Sequence, residues 1–169
     1  CLEIEEKAID YVRLRAGVLA ASRALSRYRE YHQSSMMQAA SEAFTQITND
    51  RYVRLQSQPA GSTEELVAVE RDGGSKVANQ LSKGTSFQLY LALRAAGYRE
   101  YATTRPTLPF IADDILETFD NPRSSRTFEV LAEMAKFGQV VYLTHHGHLR
   151  DMAVKLIPSV RVHELPTTG

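Results

Sequence analysis

Two adjacent carboxylates, Asp113 and Asp114, end the apolar run Leu108-Pro109-Phe110-Ile111-Ala112, and His145-His146 end a second run, Gln139-Val140-Val141-Tyr142-Leu143-Thr144. An acid pair behind a buried strand suits phosphate chemistry, in which one carboxylate takes Mg²⁺ and the other orients or deprotonates an attacking water. The two adjacent acids, Asp113 and Asp114, would then have distinct jobs. His145, closing the neighbouring run, can donate a hydrogen bond to the same γ-phosphate. A third segment, Leu81-Ser82-Lys83-Gly84-Thr85, brings backbone amides, a hydroxyl and a glycine to a helix start, where an anionic phosphate is welcome.

Each feature also has a plainer reading. An apolar-Asp-Asp string alone describes a solvated turn with a capping acid. Thr85-x-x-Gln88 alone describes a capping box, and a lone strand-end histidine is commonly structural. Three imidazoles, His145, His146 and His148, also raise the question of zinc. The lack of a cysteine beside them, or of an acidic ligand at helical spacing, counts against it.

Both apolar runs read as buried strands, and the segment between them reads as a helix. Asn121 is its expected cap, Pro122 its first position, Phe128, Leu131 and Met134 its buried stripe, and Gly138 the residue just past its end. Pro109 is tolerable only near a strand start. A further helix is expected around Leu149 to Leu156 and a strand near Val160 to Leu165. Strands joined by crossover helices run parallel, and open α/β sheets bind ligands at the carboxyl edge, so Asp113, Asp114, Thr144 and His145 become neighbours.

Upstream, Tyr52, Val53 and Leu55, then Leu66, Val67 and Val69, read as short strands, with Gln58-Pro59-Ala60-Gly61-Ser62 between them and a tight turn at Asp72-Gly73-Gly74. The helix opening at Leu81 to Thr85, with apolar Leu89, Leu91, Leu93 and Ala96, is expected to run about 15 residues and end near Gly97. Tyr11, Leu14, Val18, Ala21, Leu25 and Tyr28 alternate spacings of three and four. This is the seam of a helix packing on a partner helix, or the stripe of an amphipathic surface helix; residues 1 to about 45 are helical on either reading.

The chain is long enough for one compact domain with an extended appendage. With 43% apolar and 24% charged residues it lies far from the disordered, collagenous and disulfide-rich classes. Twenty basic residues balance twenty acidic ones, so no global attraction to nucleic acid or membrane is encoded, and any DNA contact must be local. The lone Cys1 cannot form an internal disulfide, and no stretch approaches the roughly 18 apolar residues of a membrane span. A reducing, cytoplasmic setting without a membrane partner is expected. The sequence opens at Cys1 inside a charged helical pattern, which suggests a fragment.

Taken together, these residues resemble the C-terminal lobe of SMC-like ABC ATPases. The signature corresponds to Leu81-Ser82-Lys83-Gly84-Thr85-Ser86-Phe87-Gln88, Walker B to Phe110-Ile111-Ala112-Asp113-Asp114, the D-loop to the surroundings of Phe119-Asp120, and the switch histidine to His145. From Leu81 to Arg94 the wording is similar to the bacterial YhaN-type coiled-coil ATPases, and the resemblance extends from about residue 28 to the end.

The resemblance implies an α/β fold: the C-terminal lobe of an ABC-type P-loop NTPase head, a parallel-strand sheet with flanking helices, on residues 46–169. Residues 1–45 would be the C-terminal foot of a coiled-coil helix. It further implies ATP and Mg²⁺ as cofactors, and a homodimer of heads sandwiching two ATP molecules. In that arrangement Ser82, Lys83, Gly84, Thr85 and Gln88 serve the nucleotide of the opposite head, while Asp113, Asp114 and His145 serve their own, with the metal assigned to Asp113 and the water to Asp114. Asp120 belongs to the D-loop, and Arg94 matches a basic coupling position. Asp114 departs from the broader pattern, where most members carry Glu.

No Gly-x-x-x-x-Gly-Lys-Ser/Thr occurs in the sequence. The resemblance assigns that loop to an N-terminal lobe, so ATP hydrolysis is expected of the intact protein and not of this chain alone. The implied partners are the N-terminal lobe of the same polypeptide, a second head, and DNA or a nuclease subunit, in DNA repair or chromosome maintenance. The alternatives are a transporter ATPase subunit and a non-catalytic assembly domain of the same fold. Strands directly before the signature argue against the transporter.

Overall fold

The computed structural model describes residues 2–60 and 63–166, without the side chains of residues 2–6, 8, 25, 26 and 28–34. Two compact units emerge, Cys1–Ser35 and Met36–Gly169. Helix α1 (Leu2–Ile47) begins in the first unit, and its last turns belong to the second. In the first unit Tyr11, Leu14, Val18 and Ala21 are all exposed, as are Ile9, Val12 and Leu19. The expected stripe members Leu25 and Tyr28 lie outside the described side chains.

The second unit holds the core. Ala40, Phe44 and Ile47, spaced four and three apart at the end of α1, are fully buried there. Thr48 closes the helix by donating its hydroxyl to the Phe44 carbonyl at 2.7 Å. Asn49 and Asp50 then turn the chain with φ of 52° and 61°, a region these two side chains tolerate better than most. Strands β1 (Tyr52–Ala60), β2 (Thr63–Glu70) and β3 (Ser75–Val77) form an antiparallel sheet in that order.

Ala60 pairs with Thr63, so β1 continues through Pro59, which the sequence had suggested for the loop. An edge strand such as β1 accepts proline because the missing N–H need not face a neighbour. The glycine of the next turn is demanded by its backbone, Gly73 at φ 90°. Ser41 ties α1 to β1: Leu55 N donates to its hydroxyl at 2.9 Å, and the Phe44 and Tyr52 rings lie 5.1 Å apart.

A 3₁₀ turn (Ala78–Gln80) leads into α2 (Lys83–Thr104), which runs 22 residues instead of ending near Gly97. A mid-helix glycine costs about 1 kcal/mol, and burial of Leu89, Leu91, Ala92, Ala95 and Ala96 outweighs it. The helix stops instead at Arg105, held extended before Pro106.

Strands β4 (Phe110–Asp113) and β5 (Val140–Leu143) pair in parallel, from Phe110 opposite Val140 to Asp113 opposite Leu143. Helix α3 (Asn121–Met134) connects them, and α4 (Gly147–Leu156) follows. β4 is not buried on both faces as expected: Ala112 is packed into the core, whereas Ile111 on the alternate face is 64% exposed, and Leu143 is open too. Among the described residues, only one side of this short sheet is covered by the core.

The cap of α3 is Asp120, not Asn121, which is the first helical residue. The helix also ends earlier than expected, at Met134, and a turn carries the chain to Gly138. A Cβ on Gly138 would collide with the Tyr98 hydroxyl and lie 2.6 Å from Thr107 Oγ1, so close packing explains that glycine. The strand expected from Val160 to Leu165 is not formed. Val160, Val162 and Leu165 are exposed, with no strand beside them among the described residues. No helix is long and apolar enough to cross a membrane among those residues.

Candidate functional site at the strand ends

The parallel register sets Asp114 beside the residues that follow β5. Asp114 N donates to Leu143 O at 2.8 Å, extending the β4–β5 pairing by one bond. The backbone then turns into the left-handed region, φ 47° at Asp114, and Glu117 N donates to the Asp114 carbonyl at 3.2 Å. Aspartate, with its short polar side chain, is among the few non-glycine residues that enter this region readily. The turn thus provides a backbone reason for Asp at 114.

The Asp114 carboxylate is pinned from two sides. Oδ1 accepts from Thr144 Oγ1 at 2.9 Å, and Oδ2 lies 3.0 Å from His145 Nδ1 and 3.8 Å from His146 Nε2. Thr144 Oγ1 also accepts from His146 N at 3.1 Å, fixing the bend after β5. The two imidazole rings stand 3.9 Å apart between centroids. The His145 side chain is 73% exposed, against 28% for His146 and 23% for Asp114, so the carboxylate sits in a niche and His145 reaches out of it. His146 Nε2 is buried without a hydrogen-bond partner. Burial pushes the Tyr142 hydroxyl above its ordinary pKa, and the negative charge of Asp114 acts in the same direction, keeping it a neutral phenol at physiological pH.

Asp113, the last residue of β4, is exposed on the alternate side from buried Ala112. A free, hard carboxylate at a strand end fits Mg²⁺, which favours one or two carboxylates together with phosphate oxygens and water.

The start of α2 is a second patch. Its cap is Ser82, not Thr85 as the spacing suggested: Ser82 Oγ accepts from Thr85 N at 3.3 Å and lies 2.9 Å from Thr85 Oγ1. A hydroxyl offers one donor and two acceptor sites, so Ser82 can cap and still donate outward. Ser82, Lys83 and Gly84 are exposed, whereas Thr85 and Gln88 are buried, Gln88 to 2% exposure. A Cβ at Gly84 would meet nothing within 4 Å, so the chain's own packing does not require glycine there.

The Phe87 ring meets Phe119 edge-on at 5.8 Å, joining α2 to the loop before α3. In that loop Asp120 caps α3, Oδ1 accepting from Arg123 N at 2.9 Å. Arg94 is exposed, its guanidinium 5.6 Å from the centre of the Tyr90 ring. Among the described residues, no hydrogen bond or ion pair joins Ser82 to Gln88 with Asp113, Asp114 or His145. The part taken by His146 was not separable in the His145-His146 doublet, because which imidazole turns toward the acid depends on the bend after Thr144.

No protein-family model matches the chain. The protein YhaN of Bacillus subtilis (strain 168) is 32% identical over 131 residues, which are 75% of this chain and 13% of YhaN. The SMC head domain with a coiled coil and joint from Pyrococcus yayanosii has a TM-score of 0.65 at 17% identity, covering 92% of this chain and 30% of that one. A structure from work on ATP-driven dimerization and DNA stimulated activation of SMC ATPases gives 0.61 at 16% identity, covering 76% and 77%. At these identities the structural likeness establishes the fold, and the chain spans only a small part of YhaN. The chain thus has the fold of an SMC head domain and is similar in sequence to YhaN over 75% of its length.

Proposed function

We propose that this lobe is half of an ATP-hydrolysing head that engages a second head across bound nucleotide, in DNA repair or chromosome maintenance in the cytoplasm. The observation that carries the reading is the Asp114–Thr144–His145 cluster at the carboxyl edge of two parallel strands. ATP with Mg²⁺ supplies the polarised γ-phosphate on which these groups act. Asp113 holds the metal by its exposed carboxylate. Thr144 fixes Asp114 by Oδ1 and leaves Oδ2 to orient a water and take its proton. His145, mostly exposed, swings from Oδ2 to donate a hydrogen bond outward, which frees that oxygen.

Ser82, Lys83 and Gly84 serve the nucleotide of the opposite head from the exposed start of α2, while Thr85 and Gln88 hold that start from within. Asp120 belongs to the D-loop beside them, and Arg94 couples α2 to the rest of the machine. The exposed Ile111 and Leu143 are covered by the N-terminal lobe, and the bare stripe of α1 by the coiled-coil helix that leaves that lobe. The antiparallel strands β1 to β3 before α2 favour an SMC-like head over a transporter subunit, whose helical subdomain would stand there. An SMC head has been crystallised with the C-terminal domain of ScpA, and DNA stimulates SMC ATPases, so a ScpA-like subunit, a nuclease subunit or DNA are the partners to seek.

The test compares the isolated chain with the full-length protein. Titration calorimetry should give no micromolar Mg-ATP binding to the 169-residue chain, and the full-length protein should hydrolyse ATP and lose at least about tenfold of its rate in Asp114→Asn. Micromolar affinity in the isolated chain, or an undiminished rate in the variant, would overturn the reading.

A further inference from the structure

We infer that Asp114, His145 and His146 form a binding site for a divalent transition metal of the Zn²⁺ class, distinct from the Mg²⁺ position at Asp113. The sequence argued against zinc because it places no cysteine beside the histidines and no acid at helical spacing from His145 or His146. The fold supplies the acid from another strand, thirty residues away, through the register that sets Asp114 beside Thr144.

The donor set is two imidazoles and one carboxylate, with their ligand atoms all within 4.8 Å of one another. Ligands at zinc bond lengths in a tetrahedron lie about 3.4 Å apart. The spacings to Asp114 Oδ2, 3.0 Å from His145 Nδ1 and 3.8 Å from His146 Nε2, bracket that value, and the two imidazole nitrogens lie within 4.8 Å of each other, so side-chain rotation closes the site.

Three features prepare it. Thr144 holds the far carboxylate oxygen and turns Oδ2 toward the imidazoles, as outer-shell donors do around metal ligands. The left-handed turn at Asp114 is locked by two backbone hydrogen bonds, so the acid does not wander. His146 Nε2, buried without a hydrogen bond, gains a partner only when something takes its lone pair or its proton. His145 is exposed, which leaves the fourth position open to water or another ligand. Imidazole donors favour zinc, copper, nickel and cobalt and disfavour Mg²⁺, which takes oxygen ligands.

Occupancy would take Asp114 and His145 out of the hydrolytic role proposed above, making the metal an inhibitor of turnover. The binding itself does not depend on that role, so it is tested on the chain alone. Co²⁺ titration of the 169-residue chain should produce visible absorption of tetrahedral intensity saturating at one equivalent, removed by Zn²⁺ and not by millimolar Mg²⁺. Calorimetry with Zn²⁺ should give micromolar or tighter affinity, weakened at least tenfold in His145→Ala and in His146→Ala, and unchanged in His163→Ala. His145 is exposed, so its variant should keep the parent circular dichroism even if that of His146 does not. No saturable signal, affinity indifferent to His145→Ala, or equal loss in His163→Ala would overturn the site.

Discussion

Replacing Gly84 with alanine should move stability and activity in opposite directions. Gly84 is the second residue of α2, outside the left-handed region, and a Cβ there would touch nothing within 4 Å. Alanine therefore gains helix propensity without a clash, worth about 0.5–1 kcal/mol. For a chain of this size that raises the melting temperature by about 1–4 °C. In the proposed head dimer the same methyl would stand between the exposed amides of the helix start and the phosphate of the opposite head. A displacement costing 1.4 kcal/mol or more in the transition state lowers ATP turnover at least about tenfold. Scanning calorimetry of the isolated chain and steady-state hydrolysis by the full-length protein measure the two effects. A fall in melting temperature would mean the chain itself needs the open space. Wild-type turnover would mean that nothing approaches Gly84 closely, and the signature role would fail.

Gly138→Ala should behave in the reverse way, destabilising by about 1–3 kcal/mol, because its Cβ would strike the Tyr98 hydroxyl and Thr107; an unchanged urea midpoint would contradict that packing. Glu129 gives a pH signature: burial opposes its ionisation, but hydrogen bonds from Gln46 and Arg126, with the attraction of the Arg126 charge, prevail and hold its carboxyl below the ordinary 4.5. Its folded pKa is depressed, so its contribution is present above pH 4.5 and is lost as pH falls through the lower folded value. Glu129→Gln should flatten that acid limb of the stability profile, with a cost at neutral pH of no more than about 1 kcal/mol because the carboxylate is partly solvated; an unaltered acid limb would refute the linkage.

The parallel pairing of β4 with β5 was legible because each run is apolar, short and stopped by polar residues, with a capped helix between them. The neighbourhood of Asp114, Thr144 and His145 followed from that topology alone. Boundaries set by competing local signals were less legible. Gly97 looks like a stop until the buried Leu and Ala residues around it are counted, and Pro59 looks like a loop until β1 proves to be an edge. The segment from Val160 to Leu165 carries a strand pattern, yet β propensity forms no strand without a neighbour to pair with. Ile111 illustrates the same limit: a uniformly apolar run predicts burial on both faces, but the described chain covers only one.

The central claim is that Ser82 of one head serves the nucleotide held by Asp114 of the other. Mixing full-length Ser82→Arg and Asp114→Asn variants, each inactive alone, tests it directly. In randomly reassorted two-fold dimers half are mixed and each has one intact composite site, so hydrolysis should recover to about a quarter of the wild-type rate. A mixture no more active than either variant would contradict the claim.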